Sequence, residues 1–432
     1  MGTIVFFPEG AYGPTNNCVG IANVLRGRGY RVVFVVEESF AGTLEKQGFE
    51  ERLMRLQAPS NTEEEPGQFW KDFIRETGPV FRRPTIEQLG GFIQPTWQAL
   101  IDGAKHVDDR LREIFEELRP DAIVEDNVVA FPAVVAADAP WVRIISCNPL
   151  ELADPDLPPV FSGYPTGDRS GWEEFRAEYR RTHADMHADF DQFVRDRRCP
   201  PLPELEFIHE SPHLNLYLYP AEADYSRARQ LGTSWRRLDS CVRSTDGELE
   251  LPKGDDALIY LSLGSLGSAD VDLMQRLIDV LATTSHRVIV SKGPQHEQIE
   301  LRDRMWGAEL VPQPTILPHV DLAITHGGNN TVTECLHFGT PMVVLPLFWD
   351  QYDNAQRMAE TGFGVRLPTF EFEDAELTGA IDRLVVDDGL AARLGAMSRR
   401  MQAAPGTERA ADLIAGVTGD APEPRRPTGA DA

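Results

Sequence analysis

The sequence predicts an α/β protein made of two doubly wound parallel-sheet domains, and three observations support this fold class. Short apolar runs alternate with segments of helical periodicity along most of the chain. The 432 residues exceed what one hydrophobic core usually supports. A stretch rich in proline and charge, roughly residues 225–256, separates two halves with the same alternation, which is typical of a linker between domains.

Both halves contribute strands and helices. In the first half, apolar runs predict strands at residues 3–7, 31–36, 121–124 and 141–145, and helical spacing predicts helices at 17–28 and 107–118. In the second half, the predicted strands are 257–262, 287–291, 322–325 and 342–346, and the predicted helices are 270–283 and 331–338.

These elements define the predicted domain organisation. The first domain covers residues 1–230, a linker covers 231–256, and the second domain covers 257–400. A further helix is predicted at 401–417. Residues 418–432 are rich in Pro, Gly, Asp and Arg, so we expect a disordered tail there.

Charge and cysteine content restrict the partners and the compartment. The net charge of −26 argues against nucleic acid or an anionic membrane as a partner, because both would repel the chain. The five cysteines are scattered and odd in number, which indicates a reducing cytoplasm. No apolar run approaches the roughly 18 to 20 residues of a membrane span. We therefore expect a cytoplasmic protein.

One turn in the second half has the features of an anion-binding site. The predicted strand 322–325 leads to His326 and two glycines, and Asn330, Thr331 and Glu334 then begin a helix. Glycine lets the backbone approach a ligand closely, and the first N–H groups of a helix are unpaired. Since the helix dipole also favours negative charge at this end, a diphosphate is the expected ligand.

The surrounding segment resembles the donor-binding signature of the UDP-glycosyltransferase family, which has the GT-B fold. The family pattern runs W-x-P-Q, H-x-G-x-N-S, a glutamate three residues later, G-x-P and D-Q. The matching residues are Gln313, His326, Gly328, Asn330, Glu334, Gly339, Pro341, Asp350 and Gln351, with Thr331 in place of serine. The resemblance implies two Rossmann-like domains facing a cleft, of the bacterial macrolide and natural-product glycosyltransferase type.

By this resemblance the chain is expected to be an inverting glycosyltransferase. It would move a hexose from a nucleotide-sugar, UDP-glucose or a related UDP-hexose, to an apolar natural-product acceptor. The family needs no metal or other cofactor, and we expect a monomer or homodimer. The donor would bind the second domain and the acceptor the first, with the helix 401–417 crossing back to the first domain.

The resemblance also assigns roles to donor-site residues. His326 and the helix start at Asn330 would hold the phosphates, Glu334 would accept both ribose hydroxyls, and Asp350 and Gln351 would bind the transferred sugar. The full set of expected donor-binding residues is Gly264, Ser265, Val311, Gln313, His326, Gly328, Asn329, Asn330, Thr331, Glu334, Asp350 and Gln351. Glu334 favours a ribonucleotide over a deoxyribonucleotide, because a buried carboxylate would lose one hydroxyl partner in the latter.

One position of the signature differs from the family. Leu310 stands where the family has the tryptophan that stacks on the base, and leucine has no π face. Trp306 lies four residues earlier, where we expect it to be a core residue.

The acceptor side is predicted from aromatic residues in the first domain. An apolar, aromatic pocket suits a polyketide, terpenoid, steroid or flavonoid. For any single aromatic residue, ordinary core packing is the competing interpretation. The acceptor-wall residues proposed are Trp70, Phe73, Phe81, Phe92 and Trp97, with Phe131, Tyr164 and Trp349.

The catalytic base is where the sequence departs most from the family. Most relatives have a histidine in the turn after the first strand, oriented by an aspartate from a later strand. Pro14 occupies the histidine position here, whereas Asp126 fills the aspartate position. Asp126 alone is the favoured base, because burial can raise a carboxylate's pKa towards neutrality. Glu9 or Glu125 could instead reach the site, and Asp126 could merely cap its turn.

The missing histidine also keeps a different function open. The protein could be a non-catalytic nucleotide-sugar-binding auxiliary partner that has lost transfer. His183 and His187 have a helical spacing that metal ligands use, but no third ligand is evident, so a solvated acidic helix is the preferred interpretation.

Overall fold

The computed structural model describes residues 2–56, 77–228, 230–243 and 251–419, and two all-parallel sheets organise them. The first sheet has the strand order β3-β2-β1-β4-β5-β6-β7. Its strands are β1 (Thr3–Pro8), β2 (Arg31–Glu37), β3 (Glu50–Met54), β4 (Ala122–Asp126), β5 (Trp141–Ile145), β6 (Leu214–Leu218) and β7 (Trp235–Leu238).

The second sheet has the order β10-β9-β8-β11-β12-β13. Its strands are β8 (Leu258–Ser262), β9 (Arg287–Ser291), β10 (Met305–Ala308), β11 (Leu322–Thr325), β12 (Met342–Val344) and β13 (Gly364–Arg366). In both sheets the chain reverses its direction of strand addition once, so each sheet is doubly wound. The predicted fold class, two doubly wound parallel-sheet domains, is confirmed.

Helices cover both faces of the two sheets. The longer helices are α1 (Tyr12–Gly27), α2 (Gln94–Leu118), α3 (Trp172–Asp196), α4 (Val271–Ala282), α5 (Asn329–Phe338), α6 (Gln351–Thr361), α7 (Asp374–Val385), α8 (Asp388–Ala403) and α9 (Gly406–Val417). One-turn helices lie at Thr85–Gln88, Pro132–Val135, Gly264–Gly267 and Gln313–Ile316, and a π-helical turn at Leu89–Ile93 leads into α2. Short 3₁₀ segments lie at Glu38–Phe40, Glu45–Gln47, Gly78–Arg82, Pro149–Glu151, His296–Gln298 and Leu317–His319.

Strand β1 shows why the sheets are buried on both sides. Its side chains alternate, so that Ile4 and Phe6 pack into one hydrophobic cluster while Val5 and Phe7 pack into another. All four are at most 1% exposed. A continuous apolar run is therefore required, because a parallel sheet covered by helices has no solvent face.

The structure adds five strands to the eight that the sequence predicted. β3 and β7 are edge strands with charged residues, whose apolar signal is weak, and β6, β10 and β13 were also missed. β7 corrects one assignment, because residues 235–238 lie inside the predicted linker 231–256 but pair with β6 in the first sheet. The other domain boundaries stay predictions.

Helix α9 packs on the first domain although it follows the second domain in sequence. Its Ala410 and Ile414 share a buried cluster with Ile21 and Leu25 of α1. At the surface, Arg28 of α1 forms 2.8 Å ion pairs with Glu408 and Asp412, the second of which is half exposed. Over the part of the chain that the structure describes, no helix is long and apolar enough to cross a membrane.

Candidate active site

The predicted phosphate-binding turn follows β11. Gly327, with a φ of +89°, follows His326, and α5 begins after Gly328. The imidazole lies between two glycines. A Cβ atom at Gly264 would stand 2.7 Å from His326 Cε1, and one at Gly328 would stand 2.6 Å from Nε2. Since real Cβ atoms do not approach that closely, both glycines are needed to seat the ring.

This turn suits an anion because of its backbone and its uncharged imidazole. No side chain caps the N-terminus of α5, so its first N–H groups have no partner within the helix. Burial lowers the pKa of His326 to about 4, which leaves the ring neutral near pH 7. A neutral imidazole has one N–H, so His326 donates to a phosphate oxygen only in the tautomer that does not donate to the Ser262 backbone. The helix dipole supplies the favourable potential that the ring does not.

Behind the turn, Glu334 is the centre of a polar network. Its side chain is 1% exposed. The Gln313 amide donates to Glu334 Oε2 at 2.6 Å, and the Tyr260 hydroxyl donates to Gln313 Oε1 at 3.2 Å. Arg243 Nη1 lies 3.1 Å from Glu334 Oε1. Burial raises the pKa of Glu334, and the Arg243 guanidinium opposes that rise.

Three predicted donor residues have other partners in this structure. Asn329 donates through Nδ2 to the carbonyl of Leu218 at 3.1 Å. Asp350 accepts from the backbone N–H of Asn148 at 2.8 Å. Gln351 Oε1 accepts from the backbone N–H groups of residues 347 and 348 at 3.0 and 3.3 Å. These contacts join the two domains or shape a turn, and the donor-binding roles stay predictions.

The remaining donor-site residues border the same turn. Ser265 lies in the one-turn helix after β8, and Val311 is a half-buried residue just before Gln313. Thr331 is buried in the first turn of α5 and its hydroxyl lies 3.3 Å from Gln313 Nε2. Asn330 Nδ2 lies 3.4 Å from Glu334 Oε1.

Leu310 and Trp306 are both exposed, at 63% and 44%. The expectation that Trp306 is a core residue is wrong. β10 is an edge strand, and Met305 is its buried residue while the three residues after it are exposed.

A cluster of carboxylates lies at the carboxyl ends of the first domain's strands. Glu9 follows β1, Glu125 and Asp126 end β4, and Glu151 lies in the loop after β5. Asp126 is 3% exposed and accepts a hydrogen bond from Ser146 Oγ, which in turn accepts from Asn17 Nδ2 at 2.9 Å.

Burial raises the pKa values of these carboxyl groups. The pKa of Asp126 rises to about 8 and that of Glu125 to about 8, chiefly because both are removed from water. The pKa of Glu9 rises to about 7 by burial and by the nearby charge of Glu151. Each carboxylate also disfavours ionisation of its neighbours. The cluster therefore holds protons near neutral pH.

Sequence reasoning missed Glu151 and its partner. Arg143 on β5 is 2% exposed, and its Nη2 donates to Glu151 Oε1 at 2.7 Å. The sequence offers little to identify either residue, because Arg143 lies within an apolar strand and Glu151 lies in a loop with no motif.

A hydrogen-bonded bridge connects the loop after β5 to the predicted phosphate-binding turn. Asn148 Nδ2 donates to Asn354 Oδ1 at 2.8 Å, and Asn354 Nδ2 donates to the carbonyl of Gly327 at 2.9 Å. Asn148 follows Ser146, the partner of Asp126, by two residues. The loop after β5, which carries the hydrogen-bond partner of the favoured base, is thus bonded to the predicted anion site of the second domain.

A cavity of about 790 Å³ opens in the first domain beside this cluster. Its apolar lining includes Trp97, Phe161, Phe175 and Phe207, and Arg143 and Glu151 also line it. Trp97 stacks on Phe207 with a 4.6 Å centroid distance. Such a volume fits a small-molecule ligand.

The predicted acceptor residues are placed unevenly around this region. Trp97 lines the cavity, and the Trp349 ring packs on the Trp97 ring at a 5.3 Å centroid distance. Phe92 packs between Phe81 and Phe348, and Phe131 packs on Phe7. Tyr164 packs edge-on against Phe175. Trp70 and Phe73 lie outside the described residues.

The histidine pair on α3 has structural partners. His183 stacks on Tyr179 at 4.0 Å, and His187 Nε2 lies 2.8 Å from the carbonyl of Pro203. Within the described ranges, no group of three or more His, Cys, Asp or Glu could hold a metal ion.

Comparisons with known proteins agree with this geometry. Residues 247–399 match the family model described as UDP-glucoronosyl and UDP-glucosyl transferase. The chain is a glycosyltransferase with the GT-B fold, and its second half resembles this family. It is 24% identical over 415 residues to the NDP-glycosyltransferase YjiC of Bacillus subtilis, with 94% of each chain covered. It is 25% identical over 419 residues to the oleandomycin glycosyltransferase of Streptomyces antibioticus, with 95% of this chain and 90% of that one covered.

Solved structures share the fold of this glycosyltransferase. The glycosyltransferase of kitacinnamycin superposes with a TM-score of 0.70 at 22% identity, covering 96% of this chain and 98% of that one. The glycosyltransferase SsfS6 from Streptomyces sp. SF2575, solved with thymidine diphosphate, superposes with a TM-score of 0.62 at 16% identity, covering 96% and 100%.

Proposed function

We propose that this glycosyltransferase moves a hexose from a UDP-sugar to an apolar natural-product acceptor, with inversion at the anomeric carbon and Asp126 as the base. The observation that supports the proposal is the Asn148–Asn354 bridge, which connects the loop after β5 in the first domain to Gly327 in the second. The five cysteines are all free thiols, which fits the cytoplasm as its compartment.

The reaction is a single displacement. Asp126, in its ionised form, takes the proton of the acceptor, whose electron pair attacks the anomeric carbon from the face opposite the diphosphate. The bond from that carbon to the phosphate oxygen breaks, and its electron pair leaves with the diphosphate. His326 and the N-terminus of α5 stabilise the charge that develops there.

The cavity beside the cluster is the proposed acceptor site. Its aromatic lining suits a largely apolar ligand, and Glu151 brings a carboxylate to the same wall. Two relatives are named oleandomycin glycosyltransferase and demethyllactenocin mycarosyltransferase, which supports a natural-product acceptor. A phenol or carbon nucleophile would need less help from a base than an aliphatic alcohol would, which suits a site where Pro14 replaces the usual histidine.

Glu334 supports a ribonucleotide donor, because its buried carboxylate can accept from both ribose hydroxyls. Several solved relatives hold thymidine diphosphate, so the base and sugar need a direct test.

The test combines UDP- and dTDP-hexoses with a panel of aromatic and polyketide acceptors. Mass spectrometry detects the product, and the anomeric proton coupling in its NMR spectrum reports the configuration. We expect transfer from the UDP-sugar with inversion. A retained configuration would exclude the single displacement, and nucleotide binding without transfer to any acceptor would favour the non-catalytic partner, which none of the named relatives supports.

A further inference from the structure

Arg243 connects the two domains at the nucleotide site. Its guanidinium forms a 3.1 Å ion pair with Glu334 of α5, whose side chain is 1% exposed, while 20% of the Arg243 side chain is accessible. An arginine placed against a carboxylate of the donor signature adds positive charge to a chain whose net charge is −26.

The backbone of Arg243 is held by the first domain. The segment that follows β7 passes over Gly20 of α1, where an added Cβ would meet the Cys241 carbonyl at 3.0 Å and Arg243 Cα at 3.5 Å. Cys241 itself is buried in the cluster between α1 and the first sheet. The backbone of Arg243 is therefore held against one domain, while the partner of its guanidinium belongs to the other.

The rest of the Glu334 environment consists of uncharged groups. Gln313 donates to Glu334 Oε2 at 2.6 Å, and Asn330 Nδ2 lies 3.4 Å from Glu334 Oε1. The Tyr260 hydroxyl donates a hydrogen bond to Gln313 Oε1. Cys335, the next residue of α5, is also buried. A carboxylate that is 99% buried is costly to ionise among neutral groups, and a nearby guanidinium offsets that cost.

We propose that Arg243 is a positioning residue for the donor nucleoside. It holds Glu334 ionised and oriented so that the carboxylate accepts the ribose hydroxyls, and it thereby sets the preference for a ribonucleotide. The inference rests on the proposed function, because it assumes that Glu334 contacts the ribose.

The experiment measures UDP and dTDP binding by calorimetry in wild type, in Arg243→Gln and in Arg400→Gln. Arg400 is the matched control, because it also forms ion pairs between the domains, with Asp239 and Glu222 at 2.6 Å, but none with Glu334. Thermal unfolding of each variant checks the fold. We expect Arg243→Gln to weaken UDP binding about tenfold and dTDP binding by less than about twofold, as for one lost charged hydrogen bond.

A double-mutant cycle separates this role from a structural one. If Arg243 acts through Glu334, then Arg243→Gln should have no further effect on the UDP to dTDP affinity ratio in a Glu334→Gln background. In Arg243→Gln the ratio should also fall as pH is lowered, because Glu334 then protonates more readily. The titration of the diphosphate is common to both ligands and cancels in the ratio.

Several results would overturn the inference. One is an unchanged ratio of UDP affinity to dTDP affinity. Another is an equal loss of affinity for both nucleotides, which would assign Arg243 to the phosphates. The third is tighter UDP binding, which would mean that Arg243 blocks the site. If Arg243→Gln unfolds, Arg243→Lys replaces it and should keep most of the preference. A wild type that binds neither nucleotide would refute the proposed function, and the inference with it.

Discussion

The two walls of the cleft are built in different ways. The proposed donor wall takes His326, Gly328, Asn330 and Glu334 from one βα connection, so its groups are neighbours in sequence. The carboxylate wall takes its groups from the ends of three strands that lie far apart in sequence and are adjacent only in the sheet. A βα turn can therefore be recognised from a motif, whereas a wall assembled by sheet order cannot.

Burial shifts the pKa values of the two walls in opposite directions, and both shifts favour the uncharged form of the group. It lowers the pKa of His326 to about 4 and raises the pKa of Asp126 to about 8. Both groups are therefore predominantly uncharged near neutral pH, and the cleft is less charged than its composition suggests. The following predictions test whether the walls also have separate functions.

The largest effect is expected for Asp126→Asn. Transfer should fall at least about a hundredfold, the usual contribution of a general base, while nucleotide affinity stays unchanged. Single-turnover rates and calorimetry measure the two quantities. Glu125→Gln is the matched control, because the residue is equally buried on the same strand and should leave transfer largely intact. Full activity in Asp126→Asn, together with an inactive Glu9→Gln, would move the base to Glu9.

The second largest effect is expected for a substitution in the proposed donor wall. His326→Ala should weaken nucleotide binding or transfer by roughly 1.5 to 3 kcal/mol, the value of a lost hydrogen bond to a charged group. The fold should survive, as thermal unfolding would show. His319→Ala, at an exposed histidine of the same domain, should change neither quantity. If His326→Ala kept full affinity and turnover, the phosphate-binding role of the turn would be lost.

A smaller effect is expected on the relative binding affinities of two nucleotides. UDP should bind more tightly than dTDP by roughly tenfold, because the buried carboxylate of Glu334 loses a hydroxyl partner in the deoxy compound. Glu334→Gln should reduce this difference. Calorimetric titration with UMP and dTMP as further ligands would show whether the difference resides in the nucleoside. Tighter binding of dTDP by the wild type would reverse the assignment of the donor.

The smallest effect concerns stability and pH. Asp126, Glu125 and Asp353 have pKa values raised to about 8 in the folded protein, above their unfolded values of 3.8 or 4.5. Their contribution to stability is complete below the unfolded values and is lost as pH rises through about 8. The Tm should therefore be lower at about pH 9 than at about pH 6. Asp126→Asn should flatten this slope, and a slope that is unchanged would show that Asp126 is ionised throughout.

The sequence predicted more of the donor wall than of the carboxylate wall. His326 was predictable because strand, turn and helix follow one another. Glu151 lies in a loop without a motif, and Arg243 meets its partner Glu334 only through the fold, 91 residues away in sequence. Asp126 was found through its strand and the family pattern. Trp306 was misplaced because aromatic character alone does not show that a strand lies at a sheet edge.

The return of α9 to the first domain has a consequence for recombining this enzyme with its relatives. The first domain is discontinuous, since its cluster of Ile21 and Leu25 is completed by Ala410 and Ile414. A chimera with a single junction after β7 would take everything after that strand, including the last helix, from the relative. That helix would then pack on the α1 of this protein, and the ion pairs of Arg28 would be lost. Two junctions, with residues 406–417 kept beside their own α1, would preserve the native packing while the donor half is exchanged.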